Sequence, residues 1–222
     1  MASRHNYAGS VLLLAFDTAT PSISVAIHDG TSVVGTSTGE GSMAHGELLA
    51  PAIREALAAA GAAPADLTDV AVGVGPGPFT GLRVGVVTAL TLGRTLGVTT
   101  HGVCSLDILA AEAAPTMDGD FVVATDARRK EVYWGRFGAD GVRLTGPDVD
   151  FPETVGAHGL PVVGRGGRLY ADRLAWVETA PLDPSASALA GLVARGGHRD
   201  LPLEPLYLRR PDATPQVASK PA

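Results

Sequence analysis

LLLAFDTATPSISVAIHDG (residues 12–30) and FVVATDARRKEVYWGRFGADG (residues 121–141) follow one pattern. Each has an apolar strand, an aspartate (Asp17, Asp126), a short polar turn, a second strand and a hairpin turn. Around the first copy the periodicity predicts strands over 11–16, 22–28 and 32–38. The last two are joined at Asp29-Gly30, a strong hairpin signal. A helix is predicted over 43–60, with Ser42 as N-cap, Gly61 as stop and Pro51 bending it by removing a donor. A strand over 69–74, a helix over 80–96 and a strand over 98–103 follow. Ser105 is then read as the cap of a third helix ending before Pro115. After the second copy come a strand over 160–164 and a helix over 185–195. The chain is therefore read as α/β, built from a degenerate internal duplication of a β-β-β-α-β-α unit. Few identities support the repeat; the pattern carries it. The expected organisation is an N-terminal lobe over 11–104, a C-terminal lobe over 105–208, and flexible tails at 1–10 and 211–222.

Composition narrows the function classes. The chain has 222 residues, 45% hydrophobic and 18% charged, with 28 glycines and 16 prolines. That is a folded protein rich in tight turns and excludes a disordered one. Cys104 is the single cysteine, so no intramolecular disulfide forms; it is read as a buried structural thiol. The early apolar run, residues 11–16, is too short for a signal peptide core or a membrane span, which points to the cytoplasm and away from a membrane. Net charge is −6 and the only lysines are Lys130 and Lys220. Chains that bind nucleic acid alone concentrate positive charge. The small basic clusters, Arg128-Arg129-Lys130, Arg165 with Arg168, and Arg209-Arg210, are read as solvated faces. Any RNA would be held mainly by a partner.

The glycine-rich stretch GVGPGPFTGLRVG (residues 73–85) is a candidate phosphate cradle that fails both tests. A Walker loop needs a lysine, and none precedes Lys130. The dinucleotide pattern fails too, because Thr80 stands where the third glycine belongs. Gly81, Gly85, Ala89 and Gly93 instead recur every four residues along one helix face. Glycine costs about 1 kcal/mol in a helix relative to alanine, so a stripe of them implies close approach of another backbone. That backbone belongs either to this chain or to another subunit, and the second reading is preferred. The expected partner interface is then His45, Leu49 and Ile53 on the first helix, with Gly81, Leu82, Gly85, Val86, Ala89, Leu90 and Gly93 on the second. A large residue at Gly85 or Ala89 is expected to weaken docking while leaving the monomer folded.

No catalytic, cofactor-binding or metal-binding residue is assigned, and no Gly-x-Ser-x-Gly elbow of a serine hydrolase is expected. The six histidines include no His-x-x-x-His pair for a metal on one helix turn. His45 is read as a surface or capping residue. Asp17 and Asp126 are read as turn-stabilising, because neither turn holds the glycine that would let backbone wrap a phosphate.

With these segments laid out, the chain resembles the TsaB (YeaZ) family. The resemblance rests on LAFDTATPSISVAI, HGELLAPAIREAL, VGVGPGPFTGLRVGVVTALTLG, GVCSLDILA, DARRKEVYWGRF and PLYLRRPDA, sampling residues 14–213. It implies a two-lobed fold like those of actin, the Hsp70 ATPase domain and sugar kinases (the ASKHA class), with mixed sheets. It implies a non-catalytic, activating role in tRNA modification: forming N6-threonylcarbamoyladenosine next to the tRNA anticodon. The implied partners are a catalytic TsaD-like subunit bound as a heterodimer, a TsaE-like ATPase as third component, and a second copy of the chain in a homodimer. Contact with tRNA would come only through the complex. The alternatives are a divergent ATPase or small-molecule kinase using the interlobe cleft, and a metallopeptidase.

Overall fold

The computed structural model describes residues 11–40 and 45–209, with the side chains of Glu40 and His45 left out. The expected tails and the Ser42 cap lie outside the described residues.

The first unit runs β1 (Leu13–Asp17), β2 (Ser22–His28), β3 (Val33–Glu40), α1 (His45–Ala60), β4 (Asp69–Gly75) and α2 (Phe79–Leu96). It is followed by β5 (Thr99–Cys104) and α3 (Ser105–Ala113). The second unit runs β6 (Phe121–Asp126), β7 (Val132–Phe137), β8 (Arg143–Asp150), α4 (Pro152–Gly156), β9 (Val162–Val163) and α5 (Arg165–Leu169), with α6 (Ala186–Ala194) after it. The sheets have the orders β3-β2-β1-β4-β5 and β8-β7-β6-β9. In each, the first strand pairs antiparallel with the second and parallel with the strand after the helix. The β-β-β-α-β-α duplication is thus present in topology, and the fold is of the actin/Hsp70/sugar-kinase class.

The second copy is reduced. The strand predicted over 160–164 shrinks to Val162–Val163 because Pro161 has no N–H to pair and Gly164 turns away at φ 97°.

Alternation along the strands explains the layering. Leu14, Phe16, Val25, Ile27, Val70 and Val72 face α1 and α2 in one core. Leu13, Ala15, Ala26 and Ala71 face the other way, onto Ile108 of α3 and Leu189 and Ala190 of α6. β1 is buried on both faces, as its unbroken apolar run requires. α3 also bridges to the second sheet, where Leu106 and Leu109 meet Phe121, Val123 and Phe137.

The last elements return to the first sheet. Ser185 caps α6 by accepting from the Ala188 N–H, and the Ala186 N–H donates to Ser24 Oγ on β2. Beyond α6, the Leu201 N–H donates to the Gly102 carbonyl, and that of Leu206 to the Val74 carbonyl. Ser105 is not the cap of α3. Cys104 holds that position and Ser105 is the first helical residue, its hydroxyl engaged elsewhere.

Candidate functional site: a closed turn and an outward helix face

The turn after β1 is closed by the chain itself. Asp17 Oδ1 accepts the Ala19 N–H at 2.7 Å, and Asp17 Oδ2 accepts the Ser105 hydroxyl at 2.6 Å. Ser105 Oγ in turn accepts the Gly75 N–H at 3.2 Å. Thr18 Oγ1 donates to the Gly81 carbonyl at 2.8 Å. Asp17 is only 1% exposed, and Thr18, Ala19 and Thr20 are buried with it.

This packing accounts for the glycine-rich stretch. A Cβ on Gly73 would lie 1.7 Å from Asp17 Oδ2, one on Gly77 2.4 Å from the Ala19 carbonyl oxygen, and one on Gly85 2.5 Å from Thr18 Oγ1. Gly73, Gly77 and Gly85 lack side chains where the chain crosses the first turn. The Ala19 N–H is taken by Asp17, and residues 73–85 pack against the turn.

The equivalent turn after β6 uses the same device, with Asp126 Oδ1 accepting the Arg128 N–H at 2.8 Å. Both aspartates stabilise their turns. The second turn is open, however. Arg128, Arg129 and Lys130 are exposed and all have positive φ, at 62°, 52° and 65°. Arg209 Nη1 donates to the Ala127 carbonyl at 2.9 Å, and Arg209 pairs with Glu131.

The small-residue stripe points inward. Leu49, Ile53, Gly81, Leu82, Gly85, Val86 and Ala89 are buried within the chain, and Leu90 and Gly93 are partly covered. A Cβ on Gly93 would lie 2.4 Å from Thr100 Cγ2 of β5. What approaches the stripe is this chain's own side chains, Thr18 and Val72 at Gly85 and Thr100 at Gly93, so substitution at Gly85 or at the buried Ala89 strikes the fold before any docking. His45 opens α1, and its side chain is outside the description.

The outward ridge of the same helix is offset by two residues: Phe79, Arg83, Val87 and Thr91. Phe79 is 41% and Val87 58% exposed. The Arg83 guanidinium lies 3.9 Å from the Phe79 ring centroid, and Arg83 Nε donates to the Tyr207 hydroxyl at 3.2 Å. Phe79 and Tyr207 stack at 5.3 Å. Ala50 and Arg54 of α1 are exposed on the neighbouring helix. The four-residue spacing of Phe79, Arg83 and Val87 was readable in the sequence, but the glycines drew the reading to the opposite face.

Two further features limit the chemistry. The run Gly35-Thr36-Ser37-Thr38-Gly39 does have the Gly-x-Ser-x-Gly spacing of a hydrolase nucleophile elbow, which corrects the expectation that the chain holds none. It lies along edge strand β3 with no strand-to-helix turn, and Ser37 Oγ donates to Glu55 Oε2 at 2.8 Å. A cleft of about 610 Å³ lies between α3, the β7–β8 turn and the end of α6. There Arg143 Nε sits 3.0 Å from Asp107 Oδ1, while burial pushes the Asp107 carboxyl above the usual carboxylate range.

Comparison with known proteins places this architecture. The family model for TsaD, tRNA N6-adenosine threonylcarbamoyltransferase, matches residues 34–178. A solved structure of YeaZ from Pseudomonas aeruginosa superposes with a TM-score of 0.74 at 30% identity, covering 89% of this chain and all of that one. The chain belongs to the TsaB (YeaZ) family. A second Pseudomonas aeruginosa structure, of an uncharacterised protein with similarity to peptidase YeaZ, gives 0.75 at 29% identity, covering 90% of this chain and 100% of that one. An uncharacterised Mycobacterium tuberculosis protein is 44% identical over 209 residues, covering 91% of this TsaB-family chain and 94% of the relative. Among the described residues no helix is long and apolar enough to cross a membrane.

Proposed function

We propose that this chain is the non-catalytic, activating partner of a TsaD-like transferase in the complex that makes N6-threonylcarbamoyladenosine in tRNA. It docks that subunit through the outer faces of α1 and α2. The observation that carries the reading is the ridge of Phe79, Arg83 and Val87, which puts large apolar side chains in water beside the small exposed residues of α1. A mixed ridge of this kind, with Phe79 and Val87 on either side of Arg83 and with Arg54 and Arg94 beside it, suits a protein partner. A second copy of the chain could occupy the same ridge when the transferase subunit is absent.

The buried turn at Asp17 supports the non-catalytic part. A nucleotide-processing relative of this fold would need that turn open to phosphate, whereas here residues 73–85 fill the space. ATP-dependent steps then fall to the TsaE-like component, and tRNA is engaged by the assembled complex.

Reconstitution tests the reading. Given tRNA and an activated threonylcarbamoyl donor, threonylcarbamoyladenosine formation by the TsaD-like subunit and the TsaE-like ATPase should depend on added chain. The chain alone should neither hydrolyse ATP nor modify tRNA. Product formation at full rate without it, or ATP turnover by the isolated chain, would overturn the proposal.

A further inference from the structure

His101 on β5 and His198 beyond α6 meet at the edge of the first sheet, their rings 5.3 Å apart and crossed at 88°. Both aim a nitrogen at one oxygen. Asp200 Oδ1 lies 3.3 Å from His101 Nδ1 and 3.0 Å from His198 Nε2. The other nitrogen of His101, Nε2, faces Asp69 Oδ1 at 3.1 Å, and Asp69 Oδ2 accepts from Thr68 Oγ1 at 2.7 Å.

A neutral imidazole carries a single N–H, so His101 can donate to only one of its two carboxylates. With Nε2 donating to Asp69, the Nδ1 lone pair faces the Asp200 oxygen, and a proton or a metal cation between the two makes that contact attractive. The Asp69 contact then has the form of the carboxylate–imidazole bond that orients metal-binding histidines. Ligand atoms of His101, His198 and Asp200 all lie within 4.8 Å of one another. The 3.0 and 3.3 Å separations suit the edge of a tetrahedron whose bonds are about 2.0–2.1 Å long. His198 turns Nε2 to the Asp200 oxygen and leaves Nδ1 buried. Asp200, at 62% side-chain exposure, gives a cation a path from solvent.

We propose that His101, His198 and Asp200 form a binding site for a divalent transition-metal cation, with zinc best suited to two imidazoles and one carboxylate. The cation staples the segment after α6 to β5, beside the Leu201–Gly102 pairing. This site lies outside the docking ridge, and its test does not depend on the transferase.

The experiment uses the full chain without a tag. Zinc is titrated by calorimetry, and cobalt is titrated while its visible d–d bands are recorded. One equivalent should bind, with the intense bands of a tetrahedral site. Zinc at a hundredfold excess over Kd should raise Tm by about 5–10 °C, and a chelator should reverse the shift. His198→Gln and Asp200→Asn should each abolish the bands and the shift. Asp200→Asn changes an exposed side chain, and its circular dichroism should match wild type. Absence of zinc and cobalt binding at micromolar concentration, or equal binding by wild type and both variants, would overturn the proposal.

Discussion

The Thr18 hydroxyl fills the space that a side chain at Gly85 would need. It donates to the Gly81 carbonyl at 2.8 Å, and a Cβ on Gly85 would lie 2.5 Å away. This contact joins the turn after β1 to the first half of α2 and gives the stripe its orientation.

Gly85→Leu should therefore destabilise the isolated chain by about 1–3 kcal/mol through overpacking, despite its better helix propensity. Urea denaturation checks this, with a lowered midpoint at unchanged slope as the expected result. A monomer of wild-type stability would show that the stripe is not held against Thr18.

Ser105→Ala should cost about 1–3 kcal/mol, because a buried hydroxyl serves two groups at once. Asp17 loses a donor at 2.6 Å and the Gly75 N–H loses its acceptor at 3.2 Å. Thermal unfolding should register the loss.

Cys104 should resist thiol reagents in the folded chain, since burial pushes its pKa from 9.0 up to about 12. The sign of the linked pH dependence follows. Between those values the unfolded thiol ionises and the folded one keeps its proton, so folding is favoured less as pH rises. Stability should fall above pH 9.0 by up to about 1.4 kcal/mol per pH unit from this group, and Cys104→Ala should remove that part. Denaturant midpoints measured across the alkaline range decide it.

Lys130→Gly should stabilise the chain by a few tenths to about 1 kcal/mol, because glycine accepts a left-handed conformation that costs other residues energy. Lys130 stands at φ 65°, the last of three consecutive residues with positive φ. The change is read as a higher Tm.

The duplicated fold was legible because strand periodicity, aspartate and hairpin signals recur in the same order around Asp17 and Asp126. The reduced strand at Val162–Val163 was legible in place and not in length, since Pro161 and Gly164 cut it at both ends. The direction of the stripe was not legible. Glycines at 81, 85 and 93 reveal that something approaches closely, but whether that is Thr18 and Thr100 or a foreign backbone depends on tertiary packing. Likewise Ser105 reads locally as a cap, and only the fold brings it to Asp17. The grouping of His101 with His198 and Asp200 also lies beyond any local spacing rule, because the antiparallel bridge at Gly102 and Leu201 creates it.

Docking is tested most directly by gel filtration of the chain with its cognate TsaD-like subunit, comparing wild type, Val87→Asp and, as a control on edge strand β8, Leu144→Asp. Val87 and Leu144 are both exposed, at 58% and 50%, so neither variant should lower Tm. Wild type and Leu144→Asp should co-elute with the transferase subunit. Val87→Asp should bind at least about tenfold more weakly, a loss of about 1.4 kcal/mol. Equal binding by a folded Val87→Asp chain would contradict the assignment of the α1–α2 outer face as the docking surface.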